Sequence, residues 1–274
     1  MAEEERAPAG VDITTPSVAR VYDFFLGGKD NFAVDRQVAE MVLTVAPDAP
    51  EAGKANREFL RRAVRYLVEE AGIRQFIDIG SGLPTAGNVH EIAQASAPGA
   101  KVVYVDNDPI VLVHGRALLA ADDSTTVIQA DLRNPEEILA HPVVEEFIDF
   151  EQPVGLLLFA ILHHLGDDEE PGNIAARLVQ ALPAGSHVVI SHFHNPGAER
   201  PEVAAQATAA EKIFNETLGT GRWRTRSEIL AFLGDLELVE PGLVPLPEWR
   251  PGPDDHAEPG ITYYTFVGAV GRKN

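Results

Sequence analysis

The sequence predicts an α/β fold, a mostly parallel sheet sandwiched between two layers of helix. Five short, β-rich apolar runs recur at Gln75–Ile79, Lys101–Val105, Thr126–Ala130, Val154–Ala160 and His187–His192. Helical patterns fill the gaps, at about 84–97, 108–121, 134–149 and 168–182. Strands alternating with helices imply parallel βαβ units. The runs are almost wholly apolar, as strands covered on both faces are.

The first dozen residues read as a loose tail, and residues 13–72 as a helical cover. Pro16 follows Thr14 and Thr15, a cap with proline at the first helical position. From Ala55 to Glu70, Phe59, Leu60, Ala63, Val64 and Leu67 share one helical face. Arg57, Arg61, Arg62 and Arg65 share the opposite one. The Rossmann-like core spans 73–274, and tail, cover and core form one structural domain. Pro183-Ala-Gly-Ser186 is a turn into the fifth run. Helices at about 201–218 and 226–234 come next. Glu237–Glu240 and Ile261–Val270 then read as a strand pair ending the sheet. The expected total is about seven strands with the last antiparallel. Between that pair, 242–260 holds five prolines and a tryptophan. A loop that long in a compact domain is usually functional, and it is expected to cover the ligand edge.

Composition narrows the function classes. The 274 residues carry 22 basic and 42 acidic side chains, a formal charge of −20. That balance argues against nucleic acid or anionic membrane as a partner, because phosphate binding needs a positive footprint. No cysteine is present, which removes thiolate metal sites and a thiol nucleophile. No apolar run reaches the roughly 20 residues of a membrane span. The start does not read as a secretory peptide. The expected location is cytoplasmic, and five lysines against seventeen arginines suggest a GC-rich bacterial genome.

The strongest local signal is Phe76-Ile-Asp-Ile-Gly-Ser-Gly82, a strand ending in Asp78 and a Gly-x-Gly turn. Gly80 and Gly82 allow a sharp turn and close approach of a ligand to the backbone. By itself the motif is weak. Its context is stronger. The second strand ends in Asp106, placed to accept both ribose hydroxyls of an adenosine. The bland alternative is that Asp106 caps the next helix, although Asp108-Pro109 suits that role better. The third strand ends at Asp131-Leu132, where the carboxylate can accept adenine amino hydrogens and the Leu132 amide can donate. The fourth runs into Phe159-Ala-Ile-Leu-His163-His164. Ligands of open α/β sheets bind beyond these strand ends.

Three acids along one edge favour a ligand without phosphates. A dinucleotide fingerprint needs a third glycine where Thr85 stands, and no phosphate-cradling Gly-x-x-x-x-Gly-Lys-Ser/Thr exists. S-adenosylmethionine fits, with adenine, ribose, an amino acid and a sulfonium cation.

Asp78-Ile-Gly-Ser-Gly82, Asp106 and Asp131 resemble the cofactor motifs of class I S-adenosylmethionine-dependent methyltransferases. Tyr22-Asp-Phe-Phe-Leu-Gly-Gly-Lys-Asp-Asn-Phe32, Gly82-Leu-Pro-Thr85 and Tyr104-Val-Asp-Asn-Asp-Pro109 tighten it. Over about residues 12–270 the chain is similar to a bacterial S-adenosyl methyltransferase family formerly catalogued as a domain of unknown function. Pro84 stands where the wider superfamily often has a third glycine, and it removes one amide from the turn. The resemblance implies a three-layer sandwich and methyl transfer to a small-molecule acceptor, leaving S-adenosylhomocysteine. It implies that Gly80 and Gly82 border the methionine part, with Asp78 near its amino group. It places Asp106 on ribose, Asn107 beside adenine, and Asp131 and Leu132 at the adenine edge. Residues from Ala160 to His163 would line the methyl-transfer side.

Four groups remain. Tyr22, Phe24, Phe25 and Phe32 form either a lid hinged at Gly27-Gly28 or ordinary packing. Lys29 and Asn31, poorly suited to a core, are expected to contact cofactor or substrate, as is Tyr22. Phe32 and Trp249 are candidate substrate contacts. The arginine face reads as solvated, with a substrate carboxylate as the alternative. His163 and His164 are the candidate bases for a hydroxyl acceptor; the alternative is a helix cap or core packing. No metal site is expected, since His192 and His194 lack a third ligand at suitable spacing. Two other readings share much of this pattern: a non-catalytic nucleoside-binding protein and a nicotinamide-dependent oxidoreductase.

Overall fold

The computed structural model describes residues 12–84, 87–119, 123–253 and 259–274. β1 (Gln75–Ile79), β2 (Lys101–Asp106), β3 (Thr125–Gln129), β4 (Gly155–Phe159) and β5 (His187–Phe193) run parallel. The two-residue β6 (Glu237–Leu238) and β7 (Val244–Pro245) pair antiparallel with β8 (Phe266–Arg272), which lies antiparallel against β5. The order is β3-β2-β1-β4-β5-β8-β6, with β7 a side branch on β8. Against the expected seven strands, the described residues thus hold eight. The extra one fits the proline-rich interval, because Pro245 has no amide to donate and only a short edge pairing tolerates it.

β1, β2, β4, β5 and β8 alternate their side chains between two cores. Ile77, Val103, Leu156, Val188 and Val267 face one core. It is closed by α6 (Pro135–Leu139), α7 (Pro142–Phe147), α8 (Pro171–Ala181) and α10 (Arg226–Ala231) through Ile138, Val144, Ile174 and Ile229. Phe76, Val102, Leu157, Val189 and Phe266 face the other core. There α3 (Ala49–Glu69) and α4 (Val89–Ser96) bring Phe59, Leu60, Val64, Val89 and Ala93. α1 (Val18–Phe25), α2 (Ala33–Val45) and α9 (Pro201–Leu218) form a third cluster through Val21, Phe25, Val38, Val42 and Phe214. α5 (Pro109–Leu119) packs on β3 and β2.

Three boundaries differ from the sequence expectation. The single helix over 134–149 is two, because Pro142 interrupts it and opens α7, with His141 Nδ1 accepting the Val143 amide at 3.2 Å. α1 begins at Val18 after Ser17, not at Pro16. The Ser17 amide donates to Asp35 Oδ1 at 2.9 Å, so a distant carboxylate supplies the cap. Residues 262–264 form a 3-10 turn before β8. The tail expected over residues 1–12 lies almost wholly outside the described residues, as do Thr85 and 254–258 of the proline-rich interval.

β1 and β4 are neighbours from which the chain order departs in opposite directions. Such a switch point opens a crevice at the carboxyl ends of the strands, and β1, β2, β3 and β4 all end there.

Candidate active site

β1 delivers Asp78 to the crevice, only 4% exposed. Burial pushes its carboxyl up to about 7, with Arg57 pulling down and Asp106 pushing up. The turn that follows is left-handed at Gly80 (φ 73°) and Gly82 (φ 66°). A Cβ on Gly80 would lie 2.5 Å from Ile161 Cγ1, so the turn needs glycine twice over. The Gly82 amide donates to Asp106 Oδ2 and the Asp108 amide to Asp106 Oδ1, both at 2.9 Å. Asp108 caps α5 by accepting the Ile110 amide at 3.0 Å, and Ser17 Oγ donates to its other oxygen at 2.6 Å. Asp106 therefore clamps the β1 and β2 turns together, and burial raises its pKa. At the β3 end, burial pushes Asp131 up, but the Arg133 amide and guanidinium outweigh it and hold the carboxyl low. Asn107 Nδ2 reaches Asp131 Oδ2 at 3.4 Å, and Leu132 is buried beside them.

The opposite wall comes from the helical cover. The Ala160 amide donates to Ser191 Oγ at 2.9 Å, and Ser191 Oγ donates to Asn56 Oδ1 at 2.7 Å. Asn56 Nδ2 donates to Tyr22 Oη at 3.0 Å, and Tyr22 Oη to the Gly53 carbonyl at 3.2 Å. One buried chain thus ties β4, β5, α3 and α1. It holds Ala160 at φ 52°, a left-handed conformation unusual for a residue with a Cβ. Beside it, Arg57 donates to the Gly87 carbonyl at 2.8 Å while its charge acts on Asp78.

The loop after β4 carries both histidines. The Phe193 amide donates to His163 Nδ1 at 3.2 Å, so in the neutral ring the proton sits on Nε2. Burial, with His164, His192 and Arg224 nearby, keeps His163 neutral. This corrects the expectation of a base at His163, whose one lone-pair nitrogen is already occupied. His164 differs. Its Nδ1 has no partner among the described residues. Burial, helped by Arg133, lowers its pKa to about 4. The loop is pinned from behind: Arg222 donates its amide to the His163 carbonyl at 2.8 Å, Thr220 Oγ1 donates to the His164 carbonyl, and Arg224 bonds the Leu165 carbonyl at 3.0 Å.

These parts enclose one continuous cavity of about 610 Å³. Asp78, Gly80, Gly82, Asp106, Asn107, Asp131 and Leu132 line one end. Tyr22, Asn56, Arg57, His163 and His164 also line it, together with an aromatic chamber. In the chamber Phe193 stacks on Trp223 (centroids 4.1 Å apart, 12°), with Phe214 and Phe266 set edgewise at 5.7 and 5.1 Å.

Four expected contacts do not reach the cavity. Lys29 is exposed. Asn31 Nδ2 donates to Asp23 Oδ2 at 2.8 Å and to the Gly28 carbonyl at 3.1 Å, stapling the turn after α1. At Gly28 a Cβ would lie 1.9 Å from Asp23 Oδ1, so this turn is a staple and not a hinge. Phe32 packs with Leu83, Ile110 and Val111. Trp249 is fully buried between Phe59 and Tyr66, edge-on at 5.4 and 5.8 Å. Arg62 holds the backbone of its segment, donating to the Trp249 and Leu246 carbonyls at 2.8 Å each. The described part of the proline-rich interval therefore seals α3 to the sheet, and Leu246 and Trp249 join that core.

Asn56, Ser191 and the 220–224 segment do not stand out as site residues in the sequence, and Arg57 stands out only as one of four arginines on a face read as solvated, with a substrate carboxylate as the alternative. Asn56 carried one available signal, a polar residue on the apolar side of α3 that is 3% exposed.

A family model described as S-adenosyl methyltransferase matches residues 4–274. No curated protein matches the chain. Among solved structures, a Thermobifida fusca protein provisionally described as a methyltransferase is 44% identical. The match covers 97% of this chain and 98% of that one, with TM-score 0.91. A DUF574 family protein from Streptomyces avermitilis is 38% identical, covering 96% and 99%, with TM-score 0.90. An O-methyltransferase family protein from Burkholderia thailandensis is 14% identical with TM-score 0.52, covering 94% of this chain and 64% of its own, and shares the fold alone.

Proposed function

The chain belongs to the S-adenosyl methyltransferase family, and from that premise we propose how its cavity divides the work. Its activity is S-adenosylmethionine-dependent methyl transfer to a small-molecule acceptor. The observation that carries the division is the single cavity with acids at its strand-end side and aromatics at the other.

The residues present fit the cofactor. Asp106 accepts the Gly82 amide on Oδ2 and the Asp108 amide on Oδ1, with the Asn107 amide also acting on it, and the carboxylate's remaining lone-pair capacity is what the ribose would use. Asp131, Leu132 and Asn107 hold the adenine edge. Gly80 and Gly82 leave room beside the methionine portion. Asp78 meets its ammonium group, and Arg57 its carboxylate. When bound, S-adenosylmethionine supplies an electrophilic methyl group on a sulfonium centre.

The chain's own residues supply position. Segment 13–72 acts as a cover on the core 73–274 and contributes Tyr22, Asn56 and Arg57. The buried hydrogen-bond chain fixes Ala160 beside the transfer site, and alignment of this kind supplies much of a bimolecular rate gain. His164 Nδ1 is the group that takes the acceptor's proton. A base with pKa about 4 suffices, because a hydroxyl proton becomes strongly acidic as its oxygen is alkylated.

No helix among the described residues is long and apolar enough to cross a membrane. The charge of −20 supports a protein that does not act on nucleic acid.

Calorimetry tests the division. S-adenosylmethionine and S-adenosylhomocysteine are expected to bind one site competitively. Asp106→Ala should weaken both by roughly thirty-fold, the scale of losing hydrogen bonds to a charged acceptor. Affinity within two-fold of the parent in folded Asp106→Ala would remove the ribose role.

A further inference from the structure

We propose that the acceptor is a flat, uncharged aromatic molecule bearing a hydroxyl group, seated in the aromatic chamber with that hydroxyl turned to His164. The inference rests on the cofactor reading above and extends it to the second substrate.

Charge is the first argument. The cavity residues contributed by α2, α9, β5, the 220–223 segment and β8 include no Asp, Glu, Lys or Arg. Neither do those from the loop after β4, Phe159 to Leu165. In a chain with 64 charged side chains (22 basic, 42 acidic), such a wall excludes ionised ligands. A carboxylate or ammonium there would lose its hydration with no charged side chain on this wall to pair with, a cost of several kcal/mol.

Shape is the second. Phe193, Trp223 and His163 form one parallel stack, with Phe193 sandwiched between the other two at 4.1 and 3.6 Å. Phe214 stands edge-on to both Phe193 and Trp223, at 5.7 and 5.3 Å. The rings hold one another in place, and edge and face positions of that kind favour another aromatic ring over a flexible aliphatic chain.

Polarity is the third. Three polar side-chain atoms on this wall, His163 Nε2, His164 Nδ1 and Gln206 Oε1, are buried and lack a partner among the described residues. A buried acceptor left unpaired costs free energy that a ligand O–H can recover. Gln206 Oε1 can only accept and the neutral His164 ring can accept at Nδ1, so both require a donor on the ligand, while the His163 Nε2–H requires an acceptor; a hydroxyl group is both. On transfer, the acceptor oxygen bonds the methyl carbon. The carbon–sulfur bond breaks with its electron pair left on sulfur, and the hydroxyl proton passes to His164 Nδ1 and on to solvent.

The test is titration calorimetry on the full chain saturated with S-adenosylhomocysteine. The probes are 2-naphthol, 7-hydroxycoumarin, 2-methoxynaphthalene and 2-naphthoate. At least one hydroxyl probe is expected to bind, at least ten-fold tighter than 2-naphthoate. Gln206→Leu should weaken the hydroxyl probe about five-fold and leave 2-methoxynaphthalene unchanged. Phe214→Ala should weaken all aromatic probes while S-adenosylhomocysteine still binds as before. If S-adenosylhomocysteine binds but neither hydroxyl probe does, or 2-naphthoate binds equally well, the acceptor class is wrong and the cofactor reading stands. If S-adenosylhomocysteine itself does not bind, the cofactor reading falls and this inference with it.

Discussion

The two ends of the cavity are built in opposite ways. The strand-end side is assembled from short consecutive stretches: 78–82, 106–109 and 130–133 each bring lining residues within five positions of one another. It is polar, and Asp106, Asp108 and Asp131 are tied to backbone amides. The aromatic chamber draws single residues from across the chain, among them Phe25, Val42, Phe193, Phe214, Trp223 and Phe266. Those rings are fixed by each other and not by local turns. A ligand that every protein of this chemistry must bind is thus met by local backbone geometry. A ligand particular to this chain is met by tertiary packing, where single substitutions can reshape the wall without touching the turns.

The sharpest way to break this comparison is at Gly80. An alanine there is strained at φ 73° and drives its Cβ to 2.5 Å from Ile161. We expect Gly80→Ala to lower cofactor affinity by roughly a hundred-fold, from backbone strain of about 1–3 kcal/mol plus displacement of Ile161. Equilibrium binding of S-adenosylhomocysteine, with circular dichroism to confirm folding, is the measurement. Affinity unchanged would mean that the left-handed turn does not shape the methionine side.

The seam between the two ends comes next. Asn56 bonds Tyr22 on one side and Ser191 on the other, wholly inside the protein. Asn56→Leu leaves Tyr22 Oη and Ser191 Oγ each short of a partner. A loss of about 2 kcal/mol in unfolding free energy is expected, read by urea melts. Loosening Ala160 should also lower kcat more than it raises KM for the cofactor. Loss of stability with kcat intact would reduce the chain of hydrogen bonds to scaffolding.

The same contrast explains what the sequence could reveal. The strands, their order along the chain and the acids at their ends were legible because each strand is a local apolar run, and β1, β2 and β3 end at or close to a glycine or aspartate. The arginine face of α3 reads as one solvated stripe, with a substrate carboxylate as the alternative. The structure divides it: Arg61 pairs with Glu58 in solvent, Arg62 grips the Trp249 segment, and Arg57 stands at the cavity. Nothing in the spacing distinguishes these three, since the partners lie up to 187 positions away. Lys29, Asn31 and Trp249 show the reverse error. Lys29 and Asn31 read as poorly suited to a core and Trp249 as a substrate contact, yet Asn31 is spent on a turn and Trp249 on a core.

The smallest expected effect is a pH dependence confined to the strand-end side. Burial holds the Asp78 carboxyl at about 7, against about 3.8 for the ordinary group. Between those values the native protein keeps a proton that the unfolded chain has released. Stability therefore falls as pH rises through that window, and Asp78→Asn should be more stable than the parent above pH 7, by on the order of 2 kcal/mol. Cofactor binding runs the other way. An ammonium group beside Asp78 favours the carboxylate, so binding expels the proton where the free protein holds one. Affinity should rise from pH 6 to pH 7, by at most about ten-fold, and flatten above. Calorimetry in buffers of different ionisation enthalpy should count nearly one proton released at pH 6 and about half at pH 7. In Asp78→Asn that release should vanish while probe binding in the aromatic chamber is unaffected. A proton count that survives the substitution would assign the titration to Asp106 instead.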